Sequence, residues 1–169
     1  MTGPVFVDAN VFVYARDPRD PAKQQRARAW RDYLWGTRLG RTSIQMLSET
    51  YWTLRKLGGA PPEEIWKSVE RFLAWRPQAV DGDVLRAARE IEQRYRLSWW
   101  DSLMVAAAQL QSCAVLLTED VHDGAAFGTL VVRSPFTLNI EQPPAAYEAH
   151  PPLTSLHRPR GRPRRSAFA

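Results

Sequence analysis

Three short apolar runs constrain this chain more than any other feature. Val5-Phe6-Val7, Ala114-Val115-Leu116-Leu117 and Leu130-Val131-Val132 are apolar at every position. They are too short for helices and lack the polar alternation of a half-exposed strand, so they read as strands buried on both faces.

The segments between them carry helical signals. A polar, Pro-punctuated break (Asp17-Pro18-Arg19-Asp20-Pro21) leads into a helix of roughly 22–35. Ile44, Leu47, Tyr51 and Leu54 form an amphipathic stripe, closed by Gly58-Gly59. Pro61-Pro62-Glu63-Glu64 opens another helix, with proline and acids in the first turn. Asp81-Gly82-Asp83 starts one reaching about Tyr95, and Ser98 to Gln111 reads as an alanine-rich helix. Arg38 to Ser43 is expected to give a second short strand, and Ala79-Val80 a minimal one. Strands alternating with helices predict an α/β domain with a central, mainly parallel sheet.

Composition narrows the setting. The chain has 169 residues, enough for one domain with extensions. Its single cysteine, Cys113, excludes an internal disulfide and suits a reducing compartment. No apolar stretch approaches the ~18 residues of a membrane span, and the expectation is a cytoplasmic protein with no membrane association. The net charge of +5 belongs to one end. Residues 151–169 hold Arg158, Arg160, Arg162, Arg164 and Arg165 with no acid, and the rest of the chain is neutral overall. Seven prolines follow from Pro135 onward, with few large apolar groups after Ile140. The domain reading is a folded unit over 1–138 and a flexible Pro/Arg-rich tail over 139–169.

Three acids sit at element junctions, Asp8 and Asp120 after strands and Asp101 at a helix start, and a fourth, Glu49, lies on a neighbouring helix. Each has a local use. Asp8 and Asp101 fit helix caps, Asp120 fits a turn, and Glu49 lies nearly opposite its helix's apolar stripe. Met104, Val105 and Ala108 share Asp101's face, and an acid leading a core stripe is costly unless paired or bound to an ion. Acids at the carboxyl ends of parallel strands lie where open α/β sheets bind ligands. Converging, they would make an oxygen-only site for a hard cation such as magnesium; the histidines and the cysteine offer no zinc spacing. Spacing alone leaves open which of Glu119, Asp120 and Asp123 faces such a site.

These residues resemble a known family. Val5-Phe6-Val7-Asp8-Ala9-Asn10 is similar to the opening of PIN-domain nucleases, and Gln45-Met46-Leu47-Ser48-Glu49 to their second acidic segment. Tyr95 to Leu103 followed by Ala106-Ala107-Ala108, then Leu116 to Asp120, resemble the later motifs, and Val132 to Phe136 the last-strand exit. The small size resembles VapC-like toxins. The resemblance implies a three-layer α/β/α fold and a Mg2+- or Mn2+-dependent endoribonuclease. It further implies a homodimer and a cognate VapB-like antitoxin. Carried over by position, Asp8, Glu49, Asp101 and Asp120 are the catalytic metal ligands, Asn10 and Thr118 their polar supports, and Asp123 a further candidate acid. The tail arginines are candidate RNA contacts. Two rivals remain in view. A phospho-acceptor receiver needs a late lysine, whereas the last one here is Lys67. An inert PIN-fold module would bind RNA or protein through the tail.

Overall fold

In the computed structural model, which describes residues 3–140, the apolar runs pair into one sheet of order β2-β1-β3-β5-β4. β1 (Val5–Val7) lies between β2 (Gly40–Arg41) and β3 (Val115–Leu117), parallel to both. β5 (Leu130–Arg133) runs parallel to β3, and β4 (Ala126–Phe127) closes the far edge antiparallel to β5. Val5, Phe6 and Val7 stand level with Val115, Leu116 and Leu117. The ladder extends one residue further, Asp8 N donating to the Leu117 carbonyl (3.1 Å) and Thr118 N to that of Arg133 (3.2 Å).

Successive strand residues face opposite sides of the sheet, and the core divides accordingly. Phe6, Leu116, Leu130 and Val132 pack with α5 (Gly82–Tyr95) and α6 (Trp99–Leu110). Val5, Val7, Val115 and Leu117 pack with α1 (Ala9–Tyr14), α2 (Pro21–Thr37), α4 (Pro62–Glu70) and the 3-10 segment Arg71–Trp75. The result is the expected three-layer α/β/α fold. α3 (Ile44–Leu57) straddles the layers, Met46 joining one core and Leu47 the other. That explains why its circumference is so apolar.

One local expectation is corrected. Ala79-Val80 is not a strand; the chain touches the edge only through a Ser43–Gln78 bridge before Asp81 caps α5. β4 falls where the sequence reading placed no element. A two-residue turn, Gly128-Thr129, with Gly128 at φ 63°, folds it onto β5. The body also continues to Ile140, which packs against the second core, while the arginine tail lies outside the described residues.

β2 depends on one close approach. A Cβ on Gly40 would stand 2.6 Å from the Trp75 ring. Gly40→Ala is therefore expected to lower stability by about 1–3 kcal/mol through overpacking, measured by urea unfolding.

Candidate active site

The sheet register places Asp8 and Thr118 side by side at the carboxyl ends of β1 and β3. Asp8 is the N-cap of α1, as its local chemistry suggested, with Oδ1 accepting from Ala9 N at 2.5 Å. Its other oxygen accepts from Thr118 Oγ1 (2.5 Å) and Asn10 Nδ2 (2.8 Å). Capping and a site role are thus compatible, because each uses a different oxygen. Asn10 Nδ2 also lies 3.4 Å from Asp120 Oδ2, and Asp120 N donates to Thr118 Oγ1 at 3.0 Å. Thr118 and Asn10 together tie the two acids into one unit.

These groups open onto a cleft of about 290 Å³, whose lining includes Asp8, Asn10, Glu49, Asp120, Glu119 and Asp17. Asp8 is only 4% exposed, and its carboxyl is pushed up to about 7. Burial is the main cause; the Thr118 hydrogen bond opposes it, while the charges of Asp120 and Glu49 add to it. The Asp120 carboxyl is also raised, first by burial of its inner side and then by Glu119; Asp101 adds a smaller push, and the hydrogen bond from Asn10 opposes it. Negative charge therefore accumulates here against its own cost.

The other predicted acids divide. Glu49 is exposed at the cleft mouth and accepts from Gln45 Nε2 at 2.9 Å. Asp101 is outside the cleft lining. Its N–H donates to Ser98 Oγ, so Ser98 caps α6. Its carboxylate, however, accepts from that same hydroxyl at 2.7 Å rather than from the cap amide that a capping box uses. Asp123 belongs elsewhere, since its carboxylate accepts from Arg133 Nε (3.2 Å) and Ser134 N (2.9 Å). Asp120 and Glu119 are the residues of that segment that line the cleft.

Several groups in the cleft or paired with its lining had no signal in the sequence. Lys23 Nζ stands 2.5 Å from Glu119 Oε2 and 3.1 Å from the Tyr14 hydroxyl, over the rings of Tyr14 and Phe136. Its ammonium pKa is raised, mainly by Glu119. Arg19 forks onto Asp17 and holds that carboxyl below its usual range. Nothing in local spacing connects residue 23 with residue 119.

Among the described residues no three histidine, cysteine or carboxylate side chains stand close enough to enclose an ion. A magnesium-type cation nevertheless fits the donors, because it needs only one or two carboxylates beside water and substrate oxygens. Every donor here is oxygen, and Asn10 Oδ1 is buried without a hydrogen-bond partner among the described residues. A hard cation would suit both that orphan acceptor and the crowded carboxylates.

A three-layer fold with acids gathered at the carboxyl ends of β1 and β3 is the arrangement of a family. The PIN domain family model matches residues 5–122, and the chain belongs to that family. Among solved structures, the chain resembles the Mycobacterium tuberculosis toxin VapC20, described as a sarcin–ricin loop cleaving toxin. The TM-score is 0.52 at 19% identity, over 66% of this chain and 86% of that one. No functionally curated protein matches the sequence.

Proposed function

We propose that this chain is a divalent-metal-dependent endoribonuclease of the VapC kind, the toxin of a toxin–antitoxin pair. The observation that carries the reading is the pairing of Asp8 and Asp120 through Asn10 and Thr118 beside an unpartnered oxygen acceptor. Asp8 and Asp120 would hold Mg2+ or Mn2+, with Glu49 completing the set from the cleft mouth and Asp101, whose charge reaches Asp120, from beyond its lining. The bound ion would offset the substrate's phosphate charge and lower the pKa of a water molecule.

The protein groups have separable tasks. Thr118 and Asn10 fix the orientation of the Asp8 carboxylate, and the Ala9 amide holds its second oxygen. Lys23 and Arg19, each paired with an acid of the cleft, are placed to exchange that partner for a phosphate oxygen. Such contacts read the backbone rather than the base, so they position an RNA strand without selecting its sequence.

The VapC reading also supplies a VapB-like antitoxin and a homodimer. Exposed Trp52 and Leu57 on α3 stand next to Thr53 and Glu49 of the cleft, a surface whose covering would block it. Among the described residues no helix is long and apolar enough to cross a membrane, and the proposed site of action is the cytoplasm.

The full chain is expected to cleave structured RNA with Mg2+ or Mn2+ and to lose all cleavage in EDTA. Undiminished cleavage in EDTA would overturn the metal role. RNA binding without cleavage under any divalent ion would favour the inert module.

A further inference from the structure

A second concavity, of about 610 Å³, lies at the amino ends of the strands, the opposite end of the sheet from the acidic cleft. Trp35, Arg38, Arg41, Trp75, Arg76 and Gln111 line it. No acid lines it, and among the described residues none of the three arginines forms a salt bridge. Arg41 Nη1 donates only to the carbonyls of Arg38 (3.2 Å) and Gly40 (2.8 Å). Arg38 and Arg76 cap helical segments in left-handed conformations, at φ 59° and 52°. A cation at a helix end is favourable by itself, but that does not explain three arginines lining one hollow.

The remaining walls are aromatic and amide. The Trp35 and Trp75 rings lie 5.8 Å apart at 39°, and Arg71 covers Trp35 at 4.7 Å. Gln111 Nε2 donates to the Arg76 carbonyl at 2.9 Å, which fixes the amide, and its buried Oε1 has no partner among the described residues. The pocket thus combines positive charge that no acid of its lining offsets with apolar surface from the partly exposed Trp35 beside the buried Trp75. An inorganic anion would use only the first of these.

We propose that this pocket binds a nucleoside phosphate unit, with the phosphate among the arginines and the base against the partly exposed Trp35. The unit comes either as a free nucleotide or as a link in an RNA strand. The site is independent of the metal chemistry proposed for the cleft. Guanidinium groups suit phosphate, and bases stack on aromatic faces with little sequence preference. The volume falls in the range of small-molecule sites.

The test is isothermal titration of the full chain in EDTA, which removes any metal-held phosphate from the cleft. The ligands are adenosine 5′-monophosphate, adenosine, inorganic phosphate and a 5′-phosphorylated oligoadenylate. Arg38→Asn/Arg76→Asn retains a residue type that tolerates positive φ, and Arg41→Gln supplies an independent variant on the strand. The nucleotide is expected to bind at one site. The double variant should weaken it about tenfold or more, and adenosine and inorganic phosphate should each bind about tenfold or more worse. An oligonucleotide that binds tighter than the nucleotide and loses affinity in the same variants would identify an RNA strand as the source. Equal affinities for oligonucleotide and nucleotide would identify the free nucleotide. Unchanged nucleotide affinity in both variants, inorganic phosphate binding as well as the nucleotide, or no nucleotide binding would each overturn the proposal.

Discussion

Replacing Asp8 by asparagine is expected to abolish metal-dependent RNA cleavage while making the metal-free protein more stable at neutral pH. The two effects share one cause. The Asp8 carboxyl is pushed up to about 7 in the folded chain, against 3.8 for an ordinary aspartate. Between those values the native state retains a proton that the unfolded chain has released. Stability in EDTA therefore falls as pH rises from about 4 to about 7 and levels off above, a loss on the order of 4 kcal/mol. Asparagine carries no such proton, so Asp8→Asn should flatten that slope. Groups that merely support a metal ligand cost about 10–100-fold when removed, so loss of the ligand charge itself should exceed about 100-fold in cleavage. Urea unfolding in EDTA across pH 4.5 to 8, beside an RNA cleavage assay, reads both. Parallel stability profiles for the two proteins would show that Asp8 is not the strained group.

The largest loss of stability is expected at Trp30. Its ring is fully buried in the core beneath α2, and Nε1 donates to the Pro135 carbonyl at 2.9 Å. Trp30→Ala should cost about 4 kcal/mol through the cavity it leaves, with a further contribution from the unpaired Pro135 carbonyl. Trp30→Phe keeps most of the volume and should cost about half as much. A loss below about 1 kcal/mol for Trp30→Ala, in denaturant unfolding, would contradict the packing. Activity should fall as well, because the segment held by Trp30 carries Phe136, whose ring lies 4.8 Å from Lys23 Nζ.

The layer architecture was legible because it is written in local patterns. Uniformly apolar runs can only be central strands, and residues 5–7, 115–117 and 130–133 are those strands. That Asp8 would share one end of the sheet with an acid of the 119–123 segment was legible for a related reason, since both follow neighbouring parallel strands. Spacing left open which of Glu119, Asp120 and Asp123 it would be. What the sequence hid depends on partners far apart in the chain. Lys23 meets Glu119 across 96 positions, and no periodicity records that pair. Asp123 looked equivalent to Asp120 by spacing, yet the strand it accompanies delivers Arg133 and Ser134 to it instead. β4 was missed because two residues give too little pattern to outweigh a glycine.

β1 and β3 are neighbours in space but stand 110 residues apart in order of synthesis, Asp8 and Thr118 being the contact that joins them. The first half of the cleft leaves the ribosome early and has no partner. Until Thr118 and Asp120 emerge, Asp8 lacks the hydroxyl that orients it and the second acid it works beside. On the proposed function, a nascent chain would therefore be inert toward the RNA around it, and a truncated product would stay so. Competence arises only once nearly the whole body has been translated, the moment at which a neutralising partner would have a finished surface to recognise.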